Sequence, residues 1–365
     1  MPRILITVMC VLASYACKQN YDQVDSLDFS GVETFFHIAG TLEKDIDPSP
    51  TAWDSLFATP GYEVLTEKEF SRQFFMENFS LVFMSSKRNE LEASLEEAKD
   101  RPFYLQHLRH YLRAKQEREK IIAYMDSLQV YADEVMAESA SKAKHYLPSM
   151  EAKDYIPVSF VIFANDARGY DPVVIDILFA MELGDKLPLL IGHELHHYYR
   201  NKMLAFDRDN IDEAFEDILW VLDQIHAEGL ADQIDKRILF SDKSSPLYQF
   251  SVQWASMVAQ APDYIRKMDE TLSRITFSPG EIRSAGAALK EELPMSGHPI
   301  GFYMANNIIS EKGKAAVVAD IGNPFAFFRL YNEAAGVKPN DTPVFSGKSM
   351  IILRELEENI LNTKK

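Results

Sequence analysis

The motif His-Glu-x-x-His occurs at His193, Glu194 and His197 and is the clearest chemical signal in the sequence. On a helix, residues four apart share a face, so both imidazoles can bind one Zn²⁺ through ring nitrogens. Glu194 is rotated by about 100° from His193 and reaches the space beside the metal. A carboxylate in that place can take a proton from a metal-activated water. The motif therefore predicts a catalytic zinc site with Glu194 as the general base.

A catalytic zinc ion keeps three protein ligands and one open position, so a third ligand is needed. The segment 211–232 carries an apolar stripe in helical steps, formed by Ile211, Phe215, Ile218, Leu222, Ile225 and Gly229. Asp232 is the next position on the stripe, and Glu228 lies one turn after Ile225. We expect Glu228 to bind the metal and Asp232 to accept the ring N–H of a ligating histidine. Asp217 and Asp223 lie off the stripe and are expected at the solvated surface.

Two other histidines compete for the ligand positions. His196 lies three residues after His193, but the register of the motif favours His197. His226 is two residues from Glu228, so the two side chains face different ways on a helix. We therefore expect His196 to pack near the site and prefer Glu228 over His226 as the third ligand.

Peptide hydrolysis also needs a group that stabilises the oxyanion of the tetrahedral intermediate. The best candidate region is the Gly- and Pro-rich stretch 297–304, which holds His298 and Tyr303. Loops of this kind often carry function. We expect His298 and Tyr303 to be catalytic candidates; the alternative is that His298 is a turn residue and Tyr303 a core aromatic.

These motifs resemble the gluzincin class of zinc peptidases, the thermolysin-like group. The resemblance rests on residues 193–197 and on Glu228-Gly229-Leu230-Ala231-Asp232, which matches the class pattern of Glu followed four positions later by Asp. It implies a zincin-like catalytic core and peptidase chemistry. About thirty residues separate His197 from Glu228, which is more than in thermolysin-like enzymes. An insertion within residues 202–212 would account for the difference.

A wider resemblance is to an uncharacterised bacterial family of zinc-dependent peptidases that are often exported. It covers most of residues 30–340 and rests on Trp53, on Pro60-Gly61-Tyr62, on the two metal motifs and on the late GxPxGxYMA stretch. This resemblance also implies peptidase chemistry.

The elements that must position these residues are mainly helices. The run Val158–Ala164 is β-branched and aromatic and predicts a strand, which could be the sheet edge that pairs with an extended substrate. The alternative is a strand in the interior of the sheet. Val173–Phe179 predicts a second strand or a helix start, and helices follow from about Leu189 and over Asp212–Arg237. The predicted fold class is α+β, mainly helical, with one small sheet packed by helices.

The part before the sheet is also predicted to be helical. Residues 87–147 read as a pair of amphipathic helices, with a start or break at Pro102. Residues 47–62 hold three prolines and a glycine and predict a loop with at most one short helix. We divide the chain into a helical part, 31–150, and a catalytic part, 151–365, which together could form one continuous domain.

The N-terminus predicts export. Arg3 precedes an apolar run, Ile4–Ala16, which is too short to span a bilayer and fits a signal peptide over residues 1–17. Ser14-Tyr15-Ala16-Cys17 resembles a bacterial lipoprotein signal, in which the cysteine is lipidated. Plain secretion with cleavage after Ala16 and a buried N-terminal element are the alternatives. We expect a membrane anchor on Cys17, a polar tether over residues 18–30 and a location in the bacterial cell envelope.

Composition narrows the classes of protein. Apolar residues form 47% of the 365 residues and charged residues 25%, which excludes a wholly disordered chain. The net charge of −17 argues against binding to nucleic acid through bulk electrostatics.

The sequence therefore predicts an exported zinc-dependent metallopeptidase with Zn²⁺ on His193, His197 and Glu228. Its expected partner is a peptide or protein substrate. Two alternatives remain open at this point. One is a non-catalytic, zinc-stabilised envelope lipoprotein that binds a partner, and the other is a metal-free helical protein in which the motif is accidental.

Overall fold

The computed structural model describes residues 27–149, 156–337 and 342–361. The described part is mainly helical with one small four-stranded sheet, so the predicted fold class is confirmed. One cluster of buried hydrophobic side chains extends from Leu27 to Ile360 and includes residues from both predicted parts of the chain. Among the described residues, none of the helices has the length and apolar content needed to cross a membrane. The predicted signal peptide and Cys17 lie outside the described residues.

The described residues of the N-terminal part form strand β1 (Leu27–Asp28) and eight helices. The helices are α1 (Ser30–Leu42), α2 (Pro50–Phe57), α3 (Pro60–Lys68), α4 (Arg72–Phe83), α5 (Arg88–Glu97), α6 (Pro102–Gln116), α7 (Arg118–Val130) and α8 (Ala132–Lys144). Residues 27–30, which we had assigned to the tether, thus belong to the fold, because β1 pairs with the sheet.

Two predictions about this part are wrong. The stretch 47–62 contributes to two helices, because Pro50 and Pro60 each occupy the first helical position, where the missing N–H costs nothing. The pair of helices expected over 87–147 is four helices. The breaks after α6 and α7 fall on Glu117 and Tyr131, whose φ values of −101° and −108° lie outside the helical range. The start at Pro102 is as predicted.

The sheet has the strand order β1-β2-β4-β3, with β2 at Val158–Val161, β3 at Ala167–Arg168 and β4 at Val173–Asp176. Strands β1, β2 and β4 are parallel, and β3 is antiparallel to β4. Every residue of β2 and β4 is buried. Strand β2 therefore lies inside the sheet, the second of the two predicted positions, because β1 and β4 occupy both of its sides.

The metal motifs lie on helices that follow the sheet. These are α9 (Ile177–Leu183), α10 (Leu187–Asn201), α11 (Glu216–Ala231) and α12 (Lys236–Leu239). Six further helices follow in the part of the chain that the structure describes: α13 (Ser251–Arg274), α14 (Pro279–Glu292), α15 (His298–Lys312), α16 (Lys314–Ala319), α17 (Pro324–Ala335) and α18 (Gly347–Leu361). Helix α11 packs against α10, α14 and α15, so the second metal motif lies between the first one and the C-terminal helices.

Candidate metal centre

Helix α10 carries the His-Glu-x-x-His motif and is buried along most of its length. His193 and Glu194 are buried, and His197 is partly exposed. Helix α11 crosses α10 and brings Glu228 to the same place. The ring nitrogen Nε2 of His197 lies 3.0 Å from Nε2 of His193 and 3.2 Å from Oε2 of Glu228. The distance between His193 Nε2 and Glu228 Oε2 is 3.4 Å.

These three atoms lie close to the spacing of ligands in a tetrahedral zinc site. With zinc–nitrogen and zinc–oxygen bonds of about 2.0–2.2 Å, two ligand atoms at the tetrahedral angle are about 3.3–3.5 Å apart. The three separations here are 3.0, 3.2 and 3.4 Å. Two imidazole nitrogens and one carboxylate oxygen are also a ligand set that catalytic zinc uses. His193, His197 and Glu228, the predicted ligands, therefore form one of the groups of described side chains that could hold a metal ion.

The turn after α11 supplies a hydrogen-bond partner for His193. Oδ1 of Asp235 lies 3.0 Å from Nδ1 of His193, whereas Oδ1 of Asp232 is 3.8 Å away. A ring N–H donated to Asp235 leaves the lone pair of His193 Nε2 facing the metal position. The carboxylate placed to accept the ring N–H of His193 is thus that of Asp235, where the sequence predicts Asp232.

Asp235 is close because α11 is shorter than predicted. The N–H groups of Gln233 and Ile234 donate to carbonyls three residues back, so the helix closes into a tight turn after Ala231. A continuous helix would place Asp235 about 10 Å beyond Glu228 along the helix axis. The turn brings Asp235 back to His193, and sequence periodicity carries no signal for it.

Asp232 contacts His298, the histidine that the sequence predicts to be a catalytic candidate. Nδ1 of His298 lies 2.9 Å and 3.1 Å from the two carboxylate oxygens of Asp232, and 3.3 Å from Oε2 of Glu228. His298 is the first residue of α15 and keeps 21% of its side chain exposed. Although burial opposes protonation, the charges of Asp232 and Glu228 hold the pKa of His298 above its usual value. His298 can therefore carry a proton toward the metal position.

A close helix crossing puts His298 there. Helices α11 and α15 meet at Gly229 and Gly301, and a Cβ atom on Gly301 would lie 2.1 Å from the carbonyl oxygen of Ile225. Since no side chain fits in that space, close packing of the two helices explains why glycine occupies position 301. Gly297, just before His298, has φ +94° and lies against Ile225.

Tyr303 does not reach the site. Its ring lies 6.5 Å from that of Tyr331, and it is absent from the residues that line the cavity at the metal position. Tyr303 lies five residues after His298 on α15. Its side chain therefore points about 140° around the helix axis from that of His298, away from the site. The predicted catalytic role of Tyr303 is therefore not supported, and its place is that of a packing aromatic.

Four carboxylates gather around the histidines in a mostly buried space: Glu194, Glu228, Asp232 and Asp235. Lys236 is the nearby cation, with Nζ 2.6 Å from Asp235 and 3.9 Å from Asp232. Burial raises the pKa of Glu194, which the two neighbouring histidines partly oppose. Lys236 and a protonated His298 offset part of this buried negative charge, and a divalent ion bound to His193 and His197 would offset the remaining two charges.

A cavity of about 860 Å³ opens at the metal position and contains Glu194 and His298 in its walls. Residues 165–170, which contain strand β3 and the turns on both sides of it, form one side. A Cβ atom on Gly169 would lie only 2.7 Å from Cβ of His197, so this turn packs directly on α10. In the described sheet, the edge strand beside the cavity is therefore β3.

Next to the cavity, a buried ion pair joins the two metal helices. Arg200 on α10 donates from Nη2 to Oδ1 of Asp223 on α11 at 2.6 Å, and to Nδ1 of His226 at 2.9 Å. Arg208, in the connecting loop, donates to Oδ2 of Asp223 at 2.5 Å. Asp223 is 4% exposed, so its predicted place at the solvated surface is wrong, because two guanidinium groups compensate its charge.

The competing histidines are occupied elsewhere. His196 lies 3.2 Å from the carbonyl of Tyr146 through Nε2, and His226 stacks on Phe327 with 4.7 Å between ring centres. For both, burial lowers the pKa well below the usual value. Neither residue belongs to the groups of side chains that could hold a metal ion in the described chain.

The chain matches a family model over residues 53–340. The match includes all residues of the candidate metal centre. Neither the curated proteins nor the solved structures gave a match. Since the family model covers most of the sequence, the chain belongs to the family DUF5700, whose description is "putative zinc dependent peptidase".

Proposed function

We propose that this protein is a zinc-dependent metallopeptidase that hydrolyses peptide bonds. The observation that carries the proposal is the convergence of His193 Nε2, His197 Nε2 and Glu228 Oε2 at distances of 3.0–3.4 Å, with Glu194 beside them in the wall of an open cavity. The family description supports the same chemistry.

The residues of the site have distinct roles in this proposal. Zinc bound to the three ligands would supply a Lewis acid that polarises the peptide carbonyl and acidifies a water molecule. Glu194 takes the proton of the attacking water and passes it to the leaving amine, and its raised pKa suits both steps. His298, held by Asp232, donates a hydrogen bond to the oxyanion.

Strand β3 binds the substrate backbone in this proposal. No further strand pairs with its outer side within the described sheet, and β3 borders the cavity; a bound peptide would replace the side-chain contacts of Asp166 and Arg168 to the N–H and C=O of Ala167. An extended peptide can add to such an edge through main-chain hydrogen bonds, which fix its position without selecting side chains. This role replaces the one that the sequence suggested for residues 158–164.

The proposed location is the bacterial cell envelope, with a lipid anchor on Cys17. The support is the sequence pattern of residues 1–17 alone. In a bacterial host, the wild-type chain should fractionate with membranes, and Cys17→Ser should remove the lipid mass from the N-terminal peptide. An unmodified Cys17 in the wild-type protein would refute the anchor.

The substitution Glu194→Gln tests the catalytic role. It removes the base while leaving the three ligands in place, so zinc content should stay at the wild-type level. Hydrolysis of a quenched fluorescent peptide library should fall at least about 100-fold, the usual contribution of a general base. The matched control is Glu63→Gln on the surface of α3, which should keep full activity. If the wild type is active and Glu194→Gln hydrolyses peptides at the same rate, the mechanism is refuted. A zinc-loaded wild type that hydrolyses no peptide would favour the non-catalytic alternative.

A further inference from the structure

The cluster of Arg200, Arg208 and Asp223 beside the cavity carries more positive than negative charge. Arg200 and Arg208 share the single carboxylate of Asp223. Arg200 is fully buried, and its Nε and Nη1 atoms have no hydrogen-bond partner among the described residues. His226 adds no charge, because its Nδ1 atom accepts a hydrogen bond from Arg200 and so carries no proton. The cluster therefore has a net charge of about +1.

Arg208 brings that charge to the substrate cavity. About 47% of its side chain is exposed, and it lines the cavity together with Asn201, Trp220 and Gln224. Asn201 lies one helical turn after His197, and Gln224 lies one turn before Glu228. These residues thus continue the cleft along both metal helices, away from the metal position.

A smaller cavity adjoins this place. It has a volume of about 260 Å³ and shares Arg208, Trp220 and Gln224 with the main cavity. Its remaining wall is largely apolar, with Phe206, Ile211 and Leu219. The carboxylate of Asp207 is bound within its own turn, by Asp209 and Asn210, and Glu216 at the mouth is exposed to solvent, which screens its charge. The arrangement suits an anion beside an apolar side chain.

We infer that Arg208 binds the C-terminal carboxylate of a peptide substrate, with the apolar side chain of the last residue in the smaller cavity. This inference rests on the proposed function. A partly exposed guanidinium group is the side chain best suited to a carboxylate. Because the carboxylate and the apolar side chain belong to the same residue, the C-terminus fits both features of the subsite together.

The position of Arg208 sets the length of the product. Asp223, its partner, lies five residues before Glu228, which is about 7.5 Å along the helix axis. An extended peptide advances about 3.3–3.6 Å per residue. The scissile bond would therefore lie two or three residues from the C-terminus, and the enzyme would release dipeptides or tripeptides.

Binding to the zinc-loaded Glu194→Gln variant tests this inference separately from catalysis. The probes are N-acetylated hexapeptides ending in leucine, with a free C-terminal carboxylate, with a C-terminal amide, or as the amide with glutamate in the penultimate position. Calorimetry should give roughly 10- to 100-fold tighter binding for the free carboxylate than for either amide, the size of a charge-assisted hydrogen bond.

Substitutions of Arg208 test whether its guanidinium group causes the preference for the free carboxylate. Adding Arg208→Gln should reduce the preference to less than about 3-fold, and Arg208→Lys should keep part of it because the charge remains. Arg283→Gln is the matched control, since Arg283 pairs with Glu213 on the surface away from the cavity, and it should keep the full preference. The inference is wrong if carboxylate and amide bind equally, if the preference survives Arg208→Gln, or if the internal glutamate binds as well as the C-terminus. A preference that depends on Arg208 in a wild-type protein that cleaves no peptide would support the subsite and refute only the peptidase proposal.

Discussion

At the scale of single residues, His193 is central to the site because both of its ring nitrogens have close partners. Its Nε2 atom faces His197 and Glu228, while Asp235 lies 3.0 Å from its Nδ1 atom. Burial alone would raise the pKa of Asp235, but His193 and Lys236 hold it below its usual value. Asp235 is therefore an ionised acceptor that fixes the orientation of the ring.

Replacing Asp235 by asparagine should weaken zinc binding by about 10- to 100-fold, the effect of losing such a partner of a ligating histidine. A competition titration with a chelating dye measures the change. Asp232→Asn is the matched control, because that carboxylate is closer to His298 than to His193. It should change the zinc dissociation constant by less than about 3-fold while lowering the turnover rate. The reverse pattern would restore Asp232 to the role that the sequence predicted.

At this scale the sequence predicts which of these side chains lie close together, because a spacing of four places His193 and His197 on one face of a helix. His193, His197 and Glu228 lie together as expected. Asp235, Arg200 and Asp223 could not be assigned in this way, since their contacts depend on a turn and on a helix crossing. An arginine on the metal helix and an aspartate five residues before Glu228 are the only sequence signals for the buried pair.

Elements meet at the metal centre through close backbone contacts. Helices α11 and α15 touch at Gly229 and Gly301, and this crossing places His298 beside Asp232. The edge strand β3 reaches α10 through Gly169 in the same way. The periodicity of the sequence predicts most of these helices, but it does not predict which helices cross or which strand lies at the edge.

Gly301→Ala should separate α11 from α15. The added Cβ atom would lie 2.1 Å from a backbone oxygen that cannot move aside. We expect a loss of about 2 kcal/mol or more in the free energy of unfolding, which is typical of overpacking at a rigid contact, and a lower turnover rate because His298 is displaced. Urea denaturation measures the first effect.

Gly280→Ala is the control for that substitution. Gly280 is also in the first turn of a helix, α14, and nothing lies within 4 Å of its added Cβ atom. The free energy of unfolding of this variant should increase by less than about 1 kcal/mol. Equal effects of the two substitutions would contradict the account of the crossing.

At the scale of the whole molecule, zinc should contribute to stability. The buried carboxylates near His193 come from α10, α11 and the turn after α11, so a cation there holds these elements together. A ligand that binds only the folded state stabilises it by about 2.7 kcal/mol at a concentration 100 times its dissociation constant. We therefore expect a chelator to lower the melting temperature.

Calorimetry of the wild type with and without a chelator measures this shift. His193→Ala should abolish the difference between the two conditions. A melting temperature that does not respond to zinc in the wild type would show that the metal plays no part in the stability of the fold.

The central claim is that two motifs about thirty residues apart form one zinc site. The most direct test is native mass spectrometry of residues 18–365 after equilibration with zinc at neutral pH. We predict one zinc ion per chain in the wild type and none in the His193→Ala, Glu228→Gln double variant. A wild type without metal, or a double variant that keeps its zinc, would contradict the account.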